Sequence, residues 1–122
     1  MKDDRLYLIH IFECLSRIEE YTSEGKEAFM HETKTQDAVL RNLQILAEST
    51  QRISADLKAA HREIDWARIA GFRNVLVHEY LGINLVRVWE IVEHGLPELK
   101  KHVVAILWSL GEYPIQGYGS LS

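Results

Sequence analysis

A chain of 122 residues with formal charge −4, 26% charged and 47% apolar residues, and few glycines or prolines is not a disordered segment, a loop-rich scaffold or a strongly basic nucleic-acid coat. It suits one domain with a modest core, in which an active site is shallow or shared between subunits. A single cysteine, Cys14, gives no disulfide framework and points to a reducing, cytoplasmic setting. The charged opening MKDDR and an apolar run broken by His10 and Glu13 resemble neither a signal peptide nor a membrane span.

Leu8, Ile11, Leu15 and Ile18 recur every three to four residues, which predicts an amphipathic helix over about 3–21. Asp3, Asp4, Glu19 and Glu20 read as its solvated face. Thr22, Ser23 and Gly25 break the pattern, leaving room for one short turn around Ala28 to Met30. Thr35 is the expected N-cap of the strongest helix, whose stripe of Val39, Leu43, Leu46, Ala47, Ile53 and Leu57 covers about six turns. Asp65 is placed to cap the next helix, with Trp66, Ile69, Ala70 and Val77 on one face. Gly82 would end it, and Asn84 would cap a short helix containing Leu85, Val88, Trp89 and Val92. Gly95 and Pro97 then read as punctuation before a last helix striped by Leu99, Val103, Ile106, Leu107 and Leu110. The expected fold is all-α: an up-and-down bundle of about five helices in one domain over 1–122, with an irregular tail from about 111 to 122.

The chemistry concentrates in GFRNVLVHEYLG, residues 71–82, which sets Arg73, Asn74, His78 and Tyr80 on one apolar stretch. Upstream, Lys58, His61, Arg62, Arg68 and Arg73 gather with two acids, Glu63 and Asp65, and suggest a local basic face. On a regular helix residues seven apart nearly share a face, whereas residues five apart point well away from each other. Arg73 and His78 can therefore converge only if the helix ends near His78 or if a second copy supplies the missing half. A purely structural role competes with this: an Arg near a helix C-terminus favours the dipole, and a lone His beside valines is usually a satisfied packing residue.

RNVLVHEY resembles the R-x4-H-x-Y motif of the HepT-like toxins of the HEPN superfamily. The likeness extends over DAVLRNLQILAEST, IDWARIAGFRNVLVHEYLGIN and VWEIVEHGLPELK, from about 37 to 107, and departs at Ala47, where the family tends to carry Gly. The resemblance implies a two-fold homodimer and a metal-independent endoribonuclease acting as the toxin of a toxin–antitoxin pair. Arg73 and His78 would be its catalytic pair, Asn74 the supporting polar residue and Tyr80 the tyrosine adenylylated by a minimal nucleotidyltransferase (MNT) antitoxin. RNA brings its own nucleophile, the 2′-hydroxyl, so cleavage needs a proton acceptor, a proton donor and charge stabilisation at phosphorus. An imidazole and a forked guanidinium supply these. The partners implied are RNA and the antitoxin, with no membrane and no cofactor.

The alternative is a non-catalytic HEPN module that binds a nucleotide or a nucleotidyltransferase. The remaining histidines, His10, His31, His61, His94 and His102, lack metal-site spacing, and one cysteine cannot complete a zinc site. Trp66, Trp89 and Trp108 read as core or dimer packing rather than base-stacking platforms, and Lys100, Lys101 and His102 as ordinary helix charges open to RNA contact.

Overall fold

The computed structural model describes residues 2–77 and 84–114, and within these every regular element is helical. In chain order they are α1 (Lys2–Tyr21), α2 (Lys26–His31), α3 (Thr33–Gln51), α4 (Ala55–Ala60), α5 (Trp66–Val77), α6 (Leu85–Glu90), a π-helical turn (Ile91–Gly95) and α7 (Leu96–Ser109). The long helix α3 is the spine: α1 packs along it on one side and α5 on another, and α7 lies against α1. The stripe read from α1 is the core, with Leu8, Ile11, Leu15 and Ile18 all at most 1% exposed against Val39, Leu43 and Leu46 of α3. Each such side chain contributes roughly 2 kcal/mol by leaving water.

Three features depart from the pattern expected of the sequence. The apolar stripe of α3 continues through Ile53 and Leu57, but the helix stops at Gln51 and α4 starts afresh. Ile53 is still buried, as the hinge residue rather than a helical one. Ser54 restarts the chain: it is extended (φ −64, ψ 153), and its Oγ accepts from the Leu57 N–H at 3.2 Å, an N-cap that ends one helix by favouring the next. The second departure is at the start of α3, which begins two residues before Thr35. Glu32 stands at the N-cap position, and the Thr35 hydroxyl donates to its carboxylate.

The third is the run from Leu85 to Ser109, expected to break at Gly95 and Pro97. It is continuous, because the turn Ile91–Gly95 widens instead of ending, and the Leu96 N–H donates to the Ile91 carbonyl five residues back. Proline in a helix has no N–H to give and its ring crowds the carbonyl four residues earlier; the wide turn just before Pro97 relieves both. Beyond Ser109 the helix does end, in a Schellman closure. The Gly111 N–H donates to Trp108 O at 3.0 Å and the Glu112 N–H to Leu107 O at 2.8 Å, with Gly111 at φ +84, where a side chain would be strained.

Polar ties cross the bundle where charge patterning alone suggested solvent. Asp4 is 3% exposed, and its carboxylate accepts from both the Ser54 N–H at 2.8 Å and the Ser54 hydroxyl at 2.6 Å. Lys100 is 7% exposed; its Nζ lies 2.6 Å from Glu19 Oε1 and 5.5 Å from the centre of the Phe12 ring, so it is a packing residue and not an RNA contact. Arg5 donates to the Leu110 carbonyl at the far end of α7. Asp4→Ala would leave two part-buried donors of Ser54 without their acceptor, and we expect a loss of about 1–2 kcal/mol, read as a lower urea midpoint with unchanged slope. Burial pushes the Cys14 thiol up to about 11, with Arg17 opposing and Glu13 adding to the shift, which leaves it a small inert core residue at neutral pH. Among the described residues no helix is long and apolar enough to cross a membrane.

Candidate active site

Helix α5 carries Arg73 and Asn74, the head of the motif, and its placement begins before its first turn. Asp65 caps it, accepting from the Arg68 N–H at 3.0 Å. The Trp66 indole N–H donates to the His61 carbonyl at 3.0 Å and fixes the entry of the chain. Ile69 and Phe72 are buried and Leu76 packs behind them, holding one side of α5 on α3. That face fixes where the other side chains go.

Arg73 is exposed at the edge of the α3–α5 contact, and its Nη1 donates to Gln51 Oε1 at 3.3 Å, in the last turn of α3. The bond orients one edge of the guanidinium and leaves the remaining donors of the fork for an anion. Asn74 is exposed beside it. His78 and Tyr80 lie outside the described residues, as do Gly82 and the tail from 115.

The basic stretch does not form one face. Between Ala60 and Trp66 the chain leaves α4 and enters α5, and its charges part company. Lys58 sits 5.9 Å over the Trp66 ring, His61 lies 3.1 Å from Glu63, Arg73 reaches Gln51 and Arg68 turns elsewhere. The Glu63 carboxyl is held below its ordinary value, first by its own backbone N–H and then by the His61 ring. Of the tryptophans, Trp89 is core, tilted against Phe29 with centroids 5.5 Å apart; Trp66 is half-buried, and Trp108 is 57% exposed with Tyr113 edge-on to it.

Arg68 lines a feature that the linear pattern concealed. A cleft of about 460 Å³ opens between α5 and the helix that follows the motif. Helix α5 contributes Arg68, Gly71 and the edge of Phe72, while Arg87 and Glu90 of α6 stand opposite. The π turn closes its end with Ile91 and His94, and His94 Nε2 lies 3.2 Å from Glu93. No sequence signal marked it, because its two walls come from separate helices, and nothing in the linear pattern sets Arg68 and Gly71 of α5 opposite Arg87 and Glu90 of α6. Among the described residues no group of three His, Cys, Asp or Glu side chains is arranged to hold a metal ion.

The family model described as Ribonuclease HepT-like matches residues 11–106. The chain is 40% identical over 77% of its length to a probable ribonuclease HepT of Thermococcus cleftensis, covering 86% of that protein. It is 36% identical over 88% of its length to a candidate RNase of Caldanaerobacter subterraneus, covering 96% of it. A Methanocaldococcus jannaschii protein named as a gamma-glutamylcyclotransferase and candidate RNase is 32% identical over 98% of this chain, which spans 57% of that longer relative. In three dimensions the chain is similar to a tri-AMPylated HEPN toxin of Shewanella oneidensis solved in complex with its MNT antitoxin, with a TM-score of 0.64, 25% identity, and coverage of 87% of this chain and 98% of that one. Helix order, bundle and matched span agree, and the chain belongs to the HepT-like ribonuclease family.

Proposed function

We propose that this protein is the toxin of a toxin–antitoxin pair, a metal-independent endoribonuclease in which Arg73 and His78 carry the cleavage. The observation that supports it best is Arg73 itself, exposed on a helix packed firmly on α3, inside the span matched by the ribonuclease family and at the head of R-x4-H-x-Y. An arginine kept for helix packing would lie against α3 rather than offer most of its fork to solvent. In this reading the His78 imidazole takes the proton of an RNA 2′-hydroxyl as that oxygen attacks the adjacent phosphorus. The 5′-oxygen leaves and receives a proton, either from the imidazolium so formed or from water, which returns the imidazole to its neutral form by exchange, and the Arg73 guanidinium stabilises the charge that gathers on the non-bridging oxygens. The products are a 2′,3′-cyclic phosphate and a 5′-hydroxyl end. Asn74, exposed beside Arg73, supports the scissile phosphate by hydrogen bonding.

Two copies around a two-fold axis resolve the five-residue spacing, because the His78 of one can face the Arg73 of the other. We read residues 1–122 as one helical domain with an irregular tail from about 111, working in the cytoplasm, where the buried thiol of Cys14 stays reduced. The similar Shewanella toxin is AMPylated and bound to an MNT antitoxin. By extension a cognate nucleotidyltransferase adenylylates Tyr80: its hydroxyl attacks the α-phosphorus of ATP, releases pyrophosphate, and gains a negatively charged nucleotide that repels RNA.

The test is direct. Purified protein in excess EDTA should cut single-stranded RNA to cyclic-phosphate and 5′-hydroxyl ends, and treatment with the antitoxin and ATP should add one or more adenylates to Tyr80 and stop the cutting. Undiminished cleavage by the adenylylated protein would remove the regulatory half. Absence of any RNA cleavage would leave a binding module.

A further inference from the structure

We infer that the cleft between α5 and α6 is an RNA-binding exosite, in which Arg68 and Arg87 hold phosphates of the substrate strand away from the bond that is cut. The inference rests on the ribonuclease reading, and it assigns a part of the substrate path that the R-x4-H-x-Y motif does not contain.

Three independent features carry it. The first is charge. Arg68 and Arg87 project from opposite walls, with Glu90 as the one carboxylate on the lining and His94 at the end. The cleft is therefore locally positive on a chain whose net charge is −4. Among the described residues no acid forms an ion pair with either guanidinium, so both keep their full donor sets for a ligand. Charged, planar forks on two sides of a trough suit a chain of phosphates, since each can grip two oxygens of a phosphodiester.

The second feature is Gly71. A glycine inside a helix costs roughly 1 kcal/mol relative to alanine, and such positions are usually explained by a turn or by a neighbour that leaves no room. Neither holds here. Gly71 lies mid-helix in α5 without a positive φ, and a Cβ built on it would meet nothing within 4 Å. What the missing side chain preserves is the open floor of the cleft. The third feature is the π turn. Its extra residue rotates the side chains that follow, and it sets Ile91 and His94 at the end of the trough, an irregularity of the kind that recurs at binding sites. At about 460 Å³ the cleft has the size of a small-molecule site, enough for a nucleotide unit.

The direction of the strand follows from the helix. Arg68 and Arg73 are five residues apart, so they stand about 140° apart around α5 and about 7.5 Å along it. Between them the outer surface of α5 carries Ala67, Ala70 and Asn74, two short side chains and an amide, and rises little above the backbone. A strand held at Arg68 and Arg87 can cross this low surface to reach Arg73. The smaller neighbouring cleft of about 170 Å³ shares Arg68 and His94 but adds Asp65 and Glu98, which disfavour phosphate and mark the other boundary of the path.

The experiment measures binding of a fluorescein-labelled single-stranded 20-mer RNA by anisotropy over a range of NaCl, in a His78→Ala background where the RNA survives. Arg68→Ala and Arg87→Ala should each weaken binding about tenfold and lower the slope of log affinity against log salt by about 1. Gly71→Leu should weaken binding by filling the trough, while Gly71→Ala, favoured by helix propensity, controls for folding. Arg41→Ala, an exposed arginine of α3 away from the cleft, should bind as the parent does. Parental affinity and slope in both Arg68→Ala and Arg87→Ala, in a protein whose wild type cleaves RNA, would overturn the exosite and leave the ribonuclease reading standing. Dissociation of the homodimer by Gly71→Leu in sedimentation would show the cleft to be a subunit interface and also overturn it. A wild type that cleaves no RNA would overturn the reading on which the exosite rests.

Discussion

Arg73→Ala is expected to slow RNA cleavage by about 10²–10³-fold, and His78→Ala by about 10²–10⁴-fold, with the products from any residual activity unchanged. The first figure is that of removing a preorganised positive group from a phosphorus gaining negative charge; the second is that of removing a positioned proton acceptor. Arg73→Lys should recover little, because an ammonium cannot reproduce the two-pronged grip of a guanidinium on a phosphate. The double variant should be scarcely worse than His78→Ala, since two groups acting in one step do not contribute additively. Folding is not in question for the arginine variants: Arg73 is exposed, and its one side-chain bond in the described structure is a 3.3 Å contact to Gln51. Thermal melts of Arg73→Ala and the wild type should coincide within about 2 °C, as expected for a surface substitution. Cleavage of RNA by Arg73→Ala at the wild-type rate, measured with a quenched-fluorescence oligonucleotide, would end the catalytic assignment.

The largest stability effect is expected at the centre of α3. Leu46 is fully buried and sits in the cluster that joins α1, α3, α5 and α7. Leu46→Ala should cost about 3 kcal/mol, from lost transfer energy together with the cavity that a helix packed on two sides cannot close, and should lower Tm by roughly 10 °C. Leu6→Ala removes the same atoms from a side chain 49% exposed on α1, and its effect should stay within about 0.5 kcal/mol. Urea unfolding of the two variants gives the comparison. Similar losses at both positions would mean that the α1–α3 contact is not the centre of the core.

Periodicity made much of the bundle legible. Leu8, Ile11, Leu15 and Ile18 recur at helical spacing and are all buried, and the caps read at Asp65 and Asn84 both form their N–H bonds. What escaped was set by partners distant in sequence or by rules that a tertiary contact overrides. An acid next to another at a helix start reads as solvated, and nothing local shows that Asp4 finds Ser54 fifty positions away. The stripe through Ile53 and Leu57 hides the α3–α4 break because a buried hinge residue and a helical one look alike in a linear pattern. Gly95 and Pro97 spell a stop, yet a widened turn lets the helix pass them. The site was legible as a motif, through the types and spacing of Arg73, Asn74, His78 and Tyr80. Its surroundings were not: the bond from Arg73 to Gln51 spans 22 positions, and the cleft is made by the packing of α6 and the π turn opposite α5.

The first turn of α1 is clasped at both flanks, Asp4 by Ser54 and Arg5 by the carbonyl of Leu110. During synthesis this turn receives its last partner only when the polypeptide has emerged through Leu110. Closing so long a span is slow relative to local helix formation, and a translating ribosome delays it further. The clasp on this turn therefore closes only after almost all of the described bundle has been synthesised.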